Sequence, residues 1–272
     1  MQQSPNTSKW HDTLWAALIF FTRLPFWRLR QPPREAYAAV VEWWPVTGWL
    51  TGGLMAATLW ASSMLMPYGI ALLLAIIVRL LVTGVLHEDG LADFFDGFGG
   101  GGTNRERILA IMKDSHIGTY GVIALVAYFA LLFAALLYIP SKLAPMAILA
   151  ADPYARMVAA LFILRLPYAR TEDTAKNRTV YRKPSVTAMI RLAVQGLPLL
   201  AVFYVLSAGT APMAVGRWAM LAFAPLLVTL FLCRLMFSRI KGYTGDCCGA
   251  ACLLAELTFY LCLAAAYGSH ID

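Results

Sequence analysis

Long apolar stretches separated by short polar ones run through most of the chain. Seven of them approach the ~20 residues that a helix needs to cross a hydrocarbon core. They cover 43–66, 69–86, 119–139, 144–166, 192–208, 216–236 and 248–267, the fifth being the shortest. The pattern predicts an all-α fold, a polytopic integral membrane helical bundle of about seven transmembrane helices. No internal repeat and no linker of soluble-domain character interrupts it, so residues 1–272 read as a single membrane-embedded domain.

Residues 1–42 form an arm before the first span. Leu14–Phe21 is apolar but short, Arg23 and Pro25 stop it, and no small-residue cleavage site follows, so a removable signal peptide is not expected. Trp10, Trp15, Phe20, Phe21, Phe26 and Trp27 interleave with Lys9, Arg23, Arg28 and Arg30. That suits an N-terminal interfacial helix with its aromatics at headgroup depth. An ordinary arm packed on the bundle is the alternative.

Positive charge in the connections gives an orientation. The arm holds Lys9, Arg23, Arg28, Arg30 and Arg34, whereas the connection near Pro67 holds none. Segment 87–118 has Arg105, Arg107 and Lys113, and the next turn only Lys142. Segment 167–191 has Arg170, Lys176, Arg178, Arg182, Lys183 and Arg191, and the turn near Gly209 none. Arg234, Arg239 and Lys241 follow in 234–247. The alternation puts the N-terminus in the cytoplasm and the C-terminus outside, with 87–118, 167–191 and 241–249 on one cytoplasmic face.

Composition agrees. Of 272 residues 60% are hydrophobic and 14% charged, with mean hydropathy +0.65, too little charge for a soluble domain of this length. The net charge of +7, set between apolar spans, suits an anionic leaflet and lipid contact. No nucleic-acid module is present. The five cysteines lie in or beside predicted spans and read as free thiols. Cys247, Cys248 and Cys252 lack a second ligand pair at zinc spacing.

The chemistry concentrates in His87-Glu88-Asp89-Gly90-Leu91-Ala92-Asp93-Phe94-Phe95-Asp96-Gly97, which holds four of the 15 acidic residues. If helical, it sets Asp89, Asp93 and Asp96 at i, i+4 and i+7 on one face. Neighbouring carboxylates repel, and a hard cation such as Mg²⁺, shared with a substrate phosphate, relieves them. Ionisable groups where a span meets water point to function rather than to a solvated surface cluster. The glycines 99–102, Gly99 and Gly100 among them, could bring backbone N–H groups close to an anion. Beyond them Asn104 or Thr103 can cap a short helix over 105–114, from whose end Lys113 and Asp114 emerge. They could serve a phosphate and a proton or metal, or form a surface salt bridge. Inside the spans, Arg79 and Asp152 lie at similar depth and could pair. Arg156, at i+4 from Asp152, competes for it or reaches a substrate phosphate. Glu256 calls for a proton or a basic partner.

Three motifs then carry a resemblance. They are His87-x-Asp89-Gly90-x-Ala92-Asp93-x-x-Asp96-Gly97, Ile111-Met112-Lys113-Asp114-x-x-x-Gly118-Thr119-Tyr120-Gly121, and Gly242-x-Thr244-Gly245-Asp246-x-x-Gly249-Ala250 with Glu256. Together with Phe21-Thr22-Arg23-Leu24-Pro25 and Trp44-Pro45-x-x-Gly48, they resemble the adenosylcobinamide-GDP ribazoletransferase, or cobalamin synthase, family in colinear order. Thr171-Glu172-Asp173-Thr174 departs from the glycine-containing stretch usual there, which leaves the role of Arg170 open.

The resemblance implies a magnesium-dependent membrane transferase of cobalamin biosynthesis. It would join adenosylcobinamide-GDP to α-ribazole or its phosphate and release GMP. It also implies a multi-pass protein of the bacterial cytoplasmic (inner) membrane with its site facing the cytoplasm. On that reading 87–118 is the acidic catalytic loop. Asp89, Asp93 and Asp96 hold the metal, and Glu88 or Asp114 is the base. Gly99, Gly100, Lys113, Arg156 and Asp246 contact substrate. A homo-oligomer is compatible with the sequence. Two rivals are a phospho-alcohol transferase acting on CDP-lipids and an ion-coupled transporter. The first would show Arg after Asp-Gly-x-x-Ala, and the second would place its charges near the midplane.

Overall fold

The computed structural model describes residues 9–170, 185–210 and 215–268, and these are helical almost throughout. Helix α1 (Trp10–Phe21) and a run of 3₁₀ turns at Arg34–Trp43 make the arm. Then follow α2 (Trp44–Ser62), α3 (Tyr68–Thr83), α4 (Leu86–Gly100), α5 (Arg105–Ile111), α6 (Thr119–Tyr138) and α7 (Ala144–Ile163). After residues 171–184, which hold four of the basic residues named above, come α8 (Val186–Gly196), α9 (Pro198–Thr210), α10 (Val215–Ile240) and α11 (Gly245–Gly268).

The expected all-α membrane bundle is present, but the number of spans differs. Five segments are long and apolar enough to cross: 119–138, 144–163, 186–208, 215–240 and 245–267. A sixth arises if α3 and α4, bent by 88° at their junction, count as one broken span. The expected spans 43–66 and 69–86 do not qualify alone. Helix α3 is 16 residues, short of a crossing. Helix α2 is long enough, but Thr47, Gly48, Thr51 and Gly52 on its buried face lower its apolar content.

That face explains the packing. A Cβ on Gly48 would lie 2.9 Å from Pro153 Cα, and one on Gly52 3.1 Å from Asp152 Cβ, so α2 and α7 meet nearly backbone to backbone. Small residues give helices in lipid this close approach. Helix α7 is alanine-rich and buried along most of its length, as is α11, and these two form the centre. Helices α6, α8–α9 and α10 surround them with exposed Val122, Ile123, Val126, Phe223, Leu227 and Phe231, an exterior that suits lipid. The arm packs on the bundle, with Asp12, Thr13, Ala16, Ala17 and Phe21 buried and Trp10 and Trp27 outward.

The bend is local chemistry. Helix α3 stops at Gly84 in the left-handed region (φ 64°), the usual way a helix ends on glycine. Val85 follows at φ 61°, a conformation that a β-branched side chain rarely adopts. These two residues turn the chain so that α4 crosses the end of the bundle against α6 and α11.

Candidate active site

The acidic stretch is a helix rather than a loop. Helix α4 spans Leu86–Gly100, so Asp89, Asp93 and Asp96 do follow one another along a helical face. Gly99 and Gly100, expected in an open loop, belong to its last turn, with Gly99 against the Tyr120 ring. Asn104 caps α5, its side chain accepting from Arg107 N–H at 2.8 Å, and Ile108 and Met112 are buried.

The three aspartates have different surroundings. Asp96 turns to the start of α6, where its oxygens accept from Gly118 N–H at 2.7 Å and Gly121 N–H at 2.8 Å. A Cβ on either glycine would sit within 2.5 Å of that carboxylate. Asp93 is buried, and Asp89 is exposed and borders two cavities. Among the described residues no three His, Cys, Asp or Glu side chains are gathered into a ready-made metal site.

The first cavity, of about 250 Å³, lies between α1, α2, α4 and the start of α11. Asp89 and Asp246 both line it. They are brought together by a tight crossing of α4 and α11. A Cβ on Gly90 would lie 3.0 Å from Asp246 O, and one on Gly249 3.1 Å from His87 O. Phe21, Trp44 and His87 line the same cavity, their ring planes within 9–16° of one another and centroids 5.4–6.1 Å apart. His87 Nε2 accepts from Trp44 Nε1 at 3.3 Å and faces an Arg156 nitrogen at 3.5 Å, so the ring is neutral with its proton on Nδ1.

The second cavity, of about 360 Å³, lies on the α6 side of α4 and includes Arg23, Glu88 and Asp89. Glu88 is 2% exposed, and its Oε2 has no hydrogen-bond partner. Arg79 stands 3.9 Å from its Oε1. Arg23 lies over Gly84, its N–H donating to Val82 O at 2.7 Å.

Beneath α4 is a buried polar layer. Arg79 pairs with Glu256 at 2.6 Å rather than with Asp152, and Tyr260 donates to the same Glu256 oxygen at 2.8 Å. Asp152 is taken by Arg156 on its own helix and accepts from Thr51 at 2.6 Å. The remaining Arg156 donors go to Thr47 at 3.2 Å and Thr51 at 3.0 Å, so the structure realises the structural pair and leaves this guanidinium buried. Three carboxylates (Glu88, Asp152, Glu256) face two guanidiniums, and Glu88 has only the longer contact, 3.9 Å to Arg79.

Lys113 and Asp114 line neither cavity. Asp114 binds His116 Nδ1 at 2.7 Å in an exposed pair. This hydrogen bond holds the Asp114 carboxyl below its usual range and lifts His116 above its own. Arg170 donates to Leu109 O at 2.9 Å, and Arg105 to Ile240 O and Ala169 O at 2.9 and 2.8 Å. These basic residues tie α5 to the segment that follows α7 and to the end of α10. All five cysteines are free thiols.

Residue chemistry alone assigned Phe21, Arg23 and Trp44 no role in the site. Their signal lay in the quoted segments Phe21–Pro25 and Trp44–Gly48, whose residues line the two cavities around Asp89.

The family model described as Cobalamin-5-phosphate synthase matches residues 13–264. The adenosylcobinamide-GDP ribazoletransferase of Shewanella sp. (strain W3-18-1) is 34% identical over 261 residues, 93% of this chain and 95% of the relative. Those of Shewanella baltica and Shewanella oneidensis are 33% identical with the same coverage. No solved structure matches the chain.

Proposed function

From the premise that this chain belongs to the cobalamin-5-phosphate synthase family, we propose that it joins adenosylcobinamide-GDP to α-ribazole or its phosphate with release of GMP. The observation that carries the site is the meeting of Asp89 and Asp246 on one cavity, from motifs far apart in sequence. The family match over nearly the whole chain sets aside phospho-alcohol transfer and ion-coupled transport.

Mg²⁺ is commonly held by one or two carboxylates plus substrate phosphate oxygens, and Asp89 with Asp246 supplies such a pair. Asp93 stands one turn along the Asp89 face, and Asp96 fixes α4 to α6. The bound ion would neutralise charge on the diphosphate as the bond to GMP breaks. A ribose hydroxyl of the acceptor attacks the phosphorus borne by the corrinoid arm. Glu88 takes the hydroxyl proton on its unpartnered oxygen, and the P–O bond to GMP breaks with its electron pair leaving on GMP. Arg23, on the same cavity as Glu88, faces the diphosphate. Positioning and electrostatics carry most of phosphoryl transfer, so no covalent intermediate is needed.

The cationic connections support a cytoplasmic orientation. Arg105, Arg170 and Arg239 cluster around α5 at the end of the bundle where α4 lies, the end that the positive-inside rule assigns to the cytoplasm. In a bacterium that membrane is the inner one. The test is GMP release from adenosylcobinamide-GDP in nanodiscs. Turnover should require Mg²⁺, stop on chelation, and fall ~10²–10³-fold in Asp89→Asn, on the scale of losing one electrostatic group at a reacting centre. Retained turnover in that variant would remove Asp89 from the site.

A further inference from the structure

Asp89 separates two cavities of opposite character. The second carries a cation, Arg23, and an unpartnered buried carboxylate oxygen on Glu88. The first has an aromatic wall, and no lysine or arginine among the described residues lines it. Its charged side chains, Asp89 and Asp246, are both carboxylates. No side chain there would neutralise a nucleoside diphosphate; only the ion that Asp89 and Asp246 would share with it could do so. Its volume of about 250 Å³ is just under the roughly 300–1,000 Å³ of pockets for drug-sized molecules. It suits a two-ring base and its sugar and is too small for a macrocycle.

The wall's chemistry narrows the choice of base. Phe21 and Trp44 offer faces and edges without a spare donor, since Trp44 Nε1 is given to His87. His87 Nε2 is occupied by the same bond and by the approach of Arg156. A guanine edge presents both donors and acceptors, and His87 Nδ1–H is the one ring donor the wall has left to meet them. A glycosylated benzimidazole has no ring N–H and asks little beyond flat apolar contact, while its ribose hydroxyls can donate to the two carboxylates.

We propose that the first cavity is the acceptor subsite, holding the benzimidazole-class base of the riboside against Phe21, Trp44 and His87, while the charged donor reaches Asp89 from the Arg23 and Glu88 side. The two substrates then approach Asp89 from opposite faces of α4, and the acceptor hydroxyl reaches past Asp89 to the phosphorus and to Glu88 on the donor side. The assignment deepens the function proposed above and rests on it.

Two variants test it in nanodiscs. Phe21→Leu keeps apolar bulk and removes the ring. Gly245→Leu projects a side chain from the cavity rim, where a Cβ meets nothing within 4 Å. Stacking of a base on an aromatic ring is worth roughly tenfold or more in affinity. Each variant should therefore raise the KM for α-ribazole about tenfold and leave that for adenosylcobinamide-GDP within about twofold. A rise confined to adenosylcobinamide-GDP would put guanine on the wall and overturn the assignment, as would two unchanged KM values. Equilibrium dialysis of α-ribazole against GMP, without donor substrate, separates this from the function itself. Riboside retained by wild type and lost in both variants supports the subsite even if no GMP is ever released. Retention of GMP instead, or of riboside equally by all three proteins, overturns it.

Discussion

Arg79 and Glu256 meet at 2.6 Å across 177 residues of sequence and tie the end of α3 to the middle of α11. Both are buried, Tyr128 lies 3.3 Å from the guanidinium, and Tyr260 donates to the carboxylate. The pair fixes the platform on which α4 rests, because α11 is also the helix that Gly90 of α4 packs against at Asp246. Removing one partner of a buried pair costs about 3–5 kcal/mol, since the other charge is left without compensation, whereas replacing both with apolar residues is often neutral. Arg79→Met alone should lower the unfolding temperature in detergent, and Arg79→Met with Glu256→Leu should recover most of it. A double variant no more stable than the single one would show that the pair acts through some other contact.

The crossing of α4 and α11 predicts a sharp dependence on two hydrogens. Gly90→Ala and Gly249→Ala each place a methyl 3.0–3.1 Å from backbone of the opposite helix, which must move by a few tenths of an ångström. Misplacement on that scale at a reacting centre costs far more rate than stability. Each variant should lose at least ~10-fold in kcat while still purifying folded. Gly216→Ala is the control, as its new methyl meets nothing within 4 Å. It should leave turnover alone and gain up to about 1 kcal/mol in helix propensity. Equal activity in all three would mean that this spacing does not set the site.

How much of this was legible in the sequence depended on whether the determinant was local. Apolar length announced the helices from 119 onward, and of the two caps the sequence offered for the short helix after the glycines, Asn104 and Thr103, the structure uses Asn104. The placement of Asp89, Asp93 and Asp96 on a common helical face followed from spacing alone. The destination of Asp96 did not, because Gly118 and Gly121 lie beyond a separate short helix. The partner of Arg79 was misread for a similar reason. Equal depth made Asp152 plausible, but Asp152 is satisfied four residues away by Arg156, and only the tertiary arrangement shows that Arg79 faces α11. The first expected span failed because a helix in the bundle centre can be polar on one face without being amphipathic towards water, as Thr47 and Thr51 are in α2, and the second because α3 ends after 16 residues at Gly84. Gly84 could be read as a helix end; nothing in the sequence marks Val85 as left-handed.

The two carboxylates that the sequence left open as bases now stand in contrasting places, and pH separates them. Asp114 is fully exposed and hydrogen-bonded to His116, which lowers the Asp114 pKa and raises that of His116. For His116 the favourable contribution is full below the ordinary imidazole value and fades as pH rises through its raised one. For Asp114 it is present above the ordinary carboxylate value and fades as pH falls through its lowered one. The contact is therefore complete only between the two ordinary values, roughly pH 4 to 6.5. In nanodiscs, NMR titration of labelled histidine should show His116 titrating above its ordinary value and returning towards it in Asp114→Asn. That substitution should leave the pH profile of GMP release in place, because Asp114 lines neither cavity. Glu88→Gln removes the acceptor of the hydroxyl proton and should lower kcat by ~10²-fold or more and flatten the acid limb of the profile. Loss of that limb in Asp114→Asn, with Glu88→Gln unaffected, would move the base out of the buried cavity to the exposed pair.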